Sequence, residues 1–239
     1  MRLDKLLANN GFGTRKDVKQ LIRKGNVRVN GAPEKDPGAH VDPDADSVDV
    51  LGEPVTHQEF TYLMMNKPPG VLSATEDKWD QTVIDLLSEN EQRFNPFPVG
   101  RLDKDTEGLL LITNDGKLAH ELLSPKKDIP KTYYAKIEGR VTEADTAAFS
   151  QGVTLEDGFH TKPGILKILH SDMESEIELT ITEGKFHQVK RMFEAVDKRV
   201  LFLKRLSMGT LKLDETLAPG HFRELTEQEL IDVDPRKKG

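Results

Sequence analysis

The feature that most constrains the fold is a long series of short apolar segments, separated by turns rich in glycine, proline, asparagine and aspartate. Polar and apolar residues alternate over 131–138, and an apolar run spans 108–113; both patterns are typical of strands. Helical spacing is limited to short stretches such as 14–24 and 186–196, which do not alternate regularly with the strands. The pattern predicts the α+β class, with a small head of two helices and a sheet, followed by a larger domain with a mixed, mainly antiparallel sheet.

Capping and turn residues locate several further elements. Asn10-Gly11 predicts the end of a first helix, and Thr14 predicts the start of a second. Asn30-Gly31 is typical of a tight turn between two strands. Farther along the chain, Thr82 predicts a short helix over 82–87.

Composition limits the chemistry and the cellular context. The chain has no cysteine, which excludes disulfides, a catalytic thiolate and thiolate metal sites, and its seven histidines show no metal-ligand spacing. No apolar run approaches the roughly 20 residues that cross a bilayer. The stretch Met1 to Lys16 lacks the apolar core of a signal peptide. We therefore expect a cytoplasmic, soluble monomer that uses no metal and no cofactor and does not bind membranes.

Charge is distributed unevenly along the chain. The net charge is -7, but residues 1–30 hold eight Lys and Arg against two Asp and Glu, whereas 31–59 hold one against eight. A second basic stretch, 185–212, again holds eight against two. A basic head on an acidic body is a local footprint for a polyanion. We predict one domain with its linker over 1–59 and a second over 60–239.

The helix predicted over 14–24 carries the clearest basic surface. Apolar residues form a stripe on one side, and four cations lie on the other: Arg15, Lys16, Lys19 and Arg23. Such cations can neutralise phosphates and release counterions. An ordinary solvated helix face explains the same pattern, so the charges alone leave both interpretations open.

Three strings of the head decide between these interpretations. Arg2-Leu3-Asp4-Lys5-Leu6-Leu7, Thr14-Arg15 and the segment from Leu21 to Gly31 resemble the S4 RNA-binding domain. The resemblance implies a structured-RNA partner that is recognised mainly by shape and backbone. It places near the phosphates the cations Arg2, Lys5, Arg15, Lys16, Lys19, Arg23 and Arg28.

A string with three carboxylates precedes the apolar run at 108–113. Asp103, Asp105 and Glu107 lie within five residues of one another. Such a carboxylate can act as a nucleophile, a general base or a metal ligand, and it can equally cap a turn. A pair of carboxylates would also suit a glycosidase, although no second carboxylate is clearly placed for that reaction.

The longer string from Gly100 to Gly116 resembles the signature of the RsuA-type pseudouridine synthases, which act on ribosomal RNA and commonly carry an N-terminal S4 domain. The other segments of that family follow in order: Asn66 to Gly70, Lys131-Thr132-Tyr133, Thr182 to Met192, and Leu217 to Leu225. The resemblance therefore spans nearly the whole chain. It implies a pseudouridine-synthase catalytic domain, and it gives the carboxylate string a function.

The resemblance also implies individual roles. Asp103 matches the essential aspartate, Tyr133 matches the tyrosine that packs on the uracil, and Lys190 matches the basic partner of the aspartate, which is arginine in some relatives. Tyr134 points to the opposite side of an alternating strand, so only one of the two tyrosines can line the pocket. Further RNA contacts are expected from Arg101, His187, Gln188 and Arg191, with His187 equally suited to a structural hydrogen bond.

Pseudouridine formation is an isomerisation that needs no redox cofactor or group donor. The segment that begins His187-Gln188 is more like the small-subunit (16S) enzymes than the large-subunit ones, so we predict 16S ribosomal RNA, or a small-subunit assembly intermediate, as the partner. Two alternatives remain open at this stage. One is a large-subunit synthase, and the other is a non-catalytic RNA-binding assembly factor.

Overall fold

The computed structural model describes residues 1–43, 45–55 and 58–237, and the chain divides into two compact units. The first unit comprises Met1–Thr61 together with Leu87–Pro96, and the second comprises Tyr62–Leu86 with Phe97–Gly239. The predicted linker, which precedes residue 60, lies partly outside the described residues, which do not include 56 and 57.

The first unit has two helices against a small sheet. Its four strands run in the order β2-β1-β3-β4, with antiparallel pairing throughout. Its elements are α1 (Leu3–Asn9), α2 (Arg15–Arg23), β1 (Val27–Val29), β2 (Ala32–Glu34), β3 (Val48–Val50), β4 (Glu53–Pro54) and, in the second segment, α3 (Glu89–Gln92).

Local signals in the sequence account for this head. Thr14 and Asp17 form a reciprocal capping box at the start of α2, and Asn30 and Gly31 both adopt positive φ in the turn between β1 and β2. One core joins the helices to the sheet through Leu3, Leu6, Leu7, Val18, Ile22, Val27, Val41, Val48 and Val50. The predicted head of two helices and a sheet is confirmed.

The second unit is built on a nine-stranded sheet. Seven strands follow the order β13-β5-β7-β11-β8-β10-β9, while β12 pairs with β11 and β6 pairs with β7. The pairing of β7 with β11 is parallel, and the other pairings of the sheet are antiparallel. The strands are β5 (Tyr62–Lys67), β6 (Phe97–Pro98), β7 (Glu107–Thr113), β8 (Lys131–Glu138), β9 (Ile165–His170), β10 (Glu174–Ile181), β11 (Arg199–Met208), β12 (Leu211–Lys212) and β13 (Phe222–Glu224).

The parallel junction of β7 and β11 depends on a glycine. Gly108 lies opposite Arg205 and has φ of +100°, a conformation that side chains disfavour. A Cβ atom at this position would lie 2.3 Å from the Arg205 carbonyl oxygen. The absence of a side chain at Gly108 therefore lets the two strands approach each other, directly after the carboxylate string.

Four helices accompany the sheet: α4 (Gly116–Leu123), α5 (Glu143–Gln151), α6 (Gln188–Glu194) and α7 (Glu227–Val233). The mixed, mainly antiparallel α+β architecture is confirmed. The short helix predicted over 82–87 is wrong. Thr82 does bond to Asp85 as a cap would, but the residues after it, 83–87, form bends and a turn instead of a helix.

Among the residues that the structure describes, no helix is both long enough and apolar enough to span a membrane.

Candidate active site

The carboxylate string lies in an irregular loop, residues 99–106, between β6 and β7. Two buried side chains hold its backbone, one from the end of β5 and one from the segment that follows β5. The Ser73 hydroxyl donates to the Leu102 carbonyl at 3.0 Å and accepts the Leu102 amide at 3.1 Å. These bonds fix the residue immediately before Asp103.

The second anchor is Lys67, whose side chain is fully buried. Its ammonium donates to the carbonyls of Pro68, Lys104 and Thr106 at 3.0, 3.2 and 2.9 Å. Burial lowers the pKa of Lys67 to about 8, even though the nearby carboxylates act in the opposite direction. Lys67 thus holds the loop from beneath, through its backbone.

Lys190 approaches the same loop from α6. Its ammonium lies 3.2 Å from an Asp103 oxygen and donates to both Asp105 oxygens, at 2.7 and 2.9 Å. The sequence predicted the contact with Asp103 and missed Asp105. One lysine therefore bridges two carboxylates that come from the same loop.

The electrostatics of this bridge favour the charged forms. Burial opposes ionisation of Asp105, but the hydrogen bond and charge of Lys190 outweigh it and hold the pKa of Asp105 below its ordinary value. Burial likewise opposes the charge on Lys190. The carboxylates of Asp105 and Asp103 outweigh this effect of burial, so the pKa of Lys190 lies above its ordinary value. At neutral pH Asp105 is therefore a carboxylate and Lys190 an ammonium.

His187 also faces Asp103, with its Nε2 3.6 Å from the carboxylate oxygen. This distance is longer than a hydrogen bond. The imidazole stacks on the exposed ring of Phe186, with centroids 3.8 Å apart, and the residue caps α6 with φ of +49°. His187 therefore stands at the entrance to the site with its ring held by stacking.

The two tyrosines of β8 point to opposite sides of the sheet, as the alternation requires. Tyr133 is buried and lines one cleft together with Asp103. Tyr134 packs edge-on against Phe202 on the other face, with centroids 6.0 Å apart. Only Tyr133 is in a position to contact a group in the cleft.

Gln188 and Arg191 are engaged within the chain. The amide of Gln188 is buried, donates to Glu183 at 2.6 Å and accepts the Lys185 amide at 2.8 Å, although the residue does line the cleft. Arg191 forms an ion pair with Asp157. These bonds support the loop before α6, and a role in RNA contact stays a prediction for both residues.

Two adjoining cavities surround Tyr133. The cleft that holds Asp103 encloses about 60 Å³. The neighbouring cavity encloses about 380 Å³, and the two share the lining residues Arg101, Tyr133, Gly184 and Lys185. The cleft alone is smaller than the ~300–1,000 Å³ of typical small-ligand sites, so a whole nucleotide needs both spaces.

The cations predicted in the head differ in their surroundings. Arg15, Lys16 and Arg23 are exposed on α2, Lys19 is half-buried there, and Lys5 is exposed on α1. Arg28 is exposed on β1. Arg2 instead donates to both oxygens of the buried Asp4, at 2.9 and 2.8 Å, and this pairing lowers the pKa of Asp4.

Sequence reasoning missed three residues of the site. Asp105 was noted only as part of the carboxylate string, and Lys67 only as part of a family segment. Ser73 carries no signal at all. The resemblance pointed to Tyr133, and the alternation of β8 predicted only that one of the two tyrosines lines the pocket.

Two known protein families match the chain, one over each of its two parts. The family model for RNA pseudouridylate synthases matches residues 61–195, and the S4 domain model matches residues 1–46. The chain belongs to the RNA pseudouridylate synthase family. Its members catalyse an isomerisation, so the synthase is an enzyme.

Full-length relatives of the synthase are of several kinds. The uncharacterized RNA pseudouridine synthase YtzG of Bacillus subtilis is 58% identical, over 96% of this chain and 97% of its own. Two further relatives are 40% identical: ribosomal small subunit pseudouridine synthase A of Vibrio cholerae, over 98% of this chain and 99% of its own, and ribosomal large subunit pseudouridine synthase B of Bacillus subtilis, over 96% and 93%.

A crystal structure of a pseudouridylate synthase is similar over 98% of this chain and 100% of its own, with 35% identity and a TM-score of 0.69. The match covers both units of the synthase.

Proposed function

We propose that the synthase converts a specific uridine of ribosomal RNA to pseudouridine, with Asp103 as its essential carboxylate. The observation that carries this proposal is the contact of Asp103 with Lys190 in a cleft walled by Tyr133. In the reaction the bond from C1′ of the ribose to N1 breaks, and C1′ joins C5. The C5 proton leaves, and N1 gains one, so the product is an isomer of the substrate.

Each residue has a task that follows from its position. Attack by Asp103 on the ribose or the base, and removal of a ribose proton, all require an ionised carboxylate. Lys190 contacts the Asp103 carboxylate at 3.2 Å and orients it. Tyr133 forms the wall on which the uracil stacks, and its hydroxyl is suited to help remove the C5 proton.

The decisive test is to map pseudouridines in ribosomal RNA from cells with and without the gene, and to complement the deletion with Asp103→Asn. We expect one position to lose pseudouridine in the deletion strain, to regain it with the wild-type gene, and to stay unmodified with Asp103→Asn. Asp172→Asn, an exposed carboxylate outside the cleft, is the matched control and should restore the product. Normal product from Asp103→Asn would refute the assignment.

We further propose that the modified uridine lies in small-subunit RNA. The segment beginning His187-Gln188 supports this choice, whereas the relatives named for the two subunits are equally similar to the chain. The mapping covers both ribosomal RNAs. A site in large-subunit RNA would replace this proposal without affecting the proposed chemistry.

We also propose that the first unit binds structured RNA through its exposed cations. Deleting residues 1–59 is a poor test, because Leu87–Pro96 belongs to the same unit and would lose its packing partners. Replacing Arg15, Lys16 and Arg23 by Gln leaves the core intact. If all three meet phosphates, the slope of log K against log salt should fall by about 2. An unchanged slope would place the RNA contacts elsewhere.

A further inference from the structure

The cavity of about 380 Å³ beside the cleft has an unusual floor, formed by two buried cations. Arg205 is 2% exposed, and Lys131 is 9% exposed. Both side chains bond to backbone carbonyls: Arg205 Nε donates to Leu109 at 2.8 Å, and the Lys131 ammonium donates to Ile129 at 3.0 Å. Within the described residues, no carboxylate lies at ion-pair distance from either one.

One donor on this floor is unused. The Arg205 Nη2 atom is buried and has no hydrogen-bond partner within the part of the chain that the structure describes. A buried donor without a partner is destabilising, so its retention calls for an explanation. Burial and the neighbouring Arg205 charge also lower the pKa of Lys131. An anion in the cavity would relieve this repulsion between Lys131 and Arg205.

The rim reinforces the positive charge. Arg101, Lys162 and Lys185 line the cavity, while Glu183 is its one acidic lining residue and accepts the Lys162 and Gln188 amides. Lys162 also pairs with Asp128. The lining therefore has a clear excess of cations, together with an arginine fork suited to phosphate oxygens.

We propose that this cavity binds a phosphodiester of the RNA strand whose uridine occupies the Asp103 cleft, with Arg205 and Lys131 as the phosphate ligands. The inference rests on the proposed function for the choice of RNA as the source of the phosphate. The side chain of Tyr133 separates the two spaces. A nucleotide can therefore place its base on one side of Tyr133 and its phosphate on the other. The small cleft takes only the base, and the cavity receives the charged backbone.

The test measures RNA binding without turnover, in the Asp103→Asn background. Protein-free ribosomal RNA is titrated at several salt concentrations against this parent, and against the parent with Lys131→Met or Lys185→Gln added. Each added change should weaken binding about tenfold and reduce the salt slope by about 0.7–0.9. Lys131 and Lys185 are replaced rather than Arg205, because the bond from Arg205 to Leu109 joins two strands. Lys117→Gln, an exposed lysine outside the cavity, is the control and should change neither quantity.

A free anion is the other source of the same chemistry. The thermal midpoint of the parent is compared in inorganic phosphate and in chloride of equal ionic strength, with Lys131→Met alongside. If Lys131→Met abolishes stabilisation by phosphate but leaves RNA affinity at the parent value, the cavity serves free phosphate and the proposal is refuted. Parent-like RNA affinity with no phosphate effect refutes it as well. Loss of affinity supports it even if no pseudouridine is ever detected, because binding is read without catalysis.

Discussion

Two lysines hold the loop 99–106 from opposite sides, and their surroundings differ completely. Lys67 is sealed beneath the loop and bonds only to backbone carbonyls, whereas Lys190 reaches its outer face and bonds to the side chains of Asp103 and Asp105. Because carbonyls only partly replace water, burial depresses the pKa of Lys67, while the carboxylates raise that of Lys190. Lys67 positions the backbone of the loop, whereas Lys190 pairs with the charged side chains of the loop.

The largest effect should come from Lys190→Met, which removes the charge from the reacting face. We expect kcat to fall by about 10²–10³, the range seen when one electrostatic group is removed from an active site. RNA affinity should stay within about threefold, as measured by filter binding. Lys190→Arg should recover part of the rate because it keeps the charge. A variant with full activity would contradict the proposed role of the bridge.

Lys67→Met tests the opposite side of the loop. Three carbonyls lose a donor while the site keeps its charged groups, so we expect a loss of about 1–3 kcal/mol in the free energy of unfolding and about a tenfold fall in kcat. Urea denaturation and single-turnover rates measure the two quantities. The comparison between the lysines would fail if Lys67→Met reduced kcat as far as Lys190→Met without any loss of stability.

The pH dependence of stability sharpens the contrast. The pKa of Lys67 is about 8 in the folded protein, below its ordinary value of 10.5, so between these pH values the unfolded chain binds the extra proton. Stability therefore rises with pH over that window, by up to about 1.4 kcal/mol per unit. Urea curves of the wild type and Lys67→Met at pH 7 and 9.5 should diverge, with the wild type gaining. Parallel behaviour would mean that Lys67 titrates normally.

Asp105→Asn should have the smallest effect. Its side chain is 73% exposed, and Lys190 keeps Asp103 as a partner. Exposed ion pairs contribute little, so we expect kcat within about threefold of the wild type. A fall as deep as that of Asp103→Asn would show that the two carboxylates act as one unit.

The sequence predicted much of the fold because local signals and packing agree. The capping box at Thr14 and the Asn30-Gly31 turn define the head, and the alternation over 131–138 defines β8. The helix over 82–87 failed because a cap residue signals only the start of a turn. The residues after Thr82 form bends and a single turn that no helix continues. The domain boundary at 59 and the monomeric state stay predictions.

The site was predicted unevenly, for a physical reason. The contact between Asp103 and Lys190 came from the resemblance, since no periodicity links residues so far apart in the chain. Lys67 was missed because its partners are carbonyls, which every residue has and which leave no trace in the sequence. Lys131 was noted only as part of a family segment and Arg205 only within the basic stretch 185–212, and nothing in the sequence indicated that both are buried beside one cavity.

The missing side chain at Gly108 has a wider consequence. The backbone of Arg205 packs against Gly108. The strand that follows the carboxylate loop, β7, and the strand that carries Arg205 of the cavity floor, β11, therefore meet at this one residue. Any larger residue at Gly108 would push β7 and β11 apart and displace the carboxylate loop and the cavity floor together. Changes in substrate preference within such an architecture therefore have to arise at the rim, where side chains can be exchanged singly.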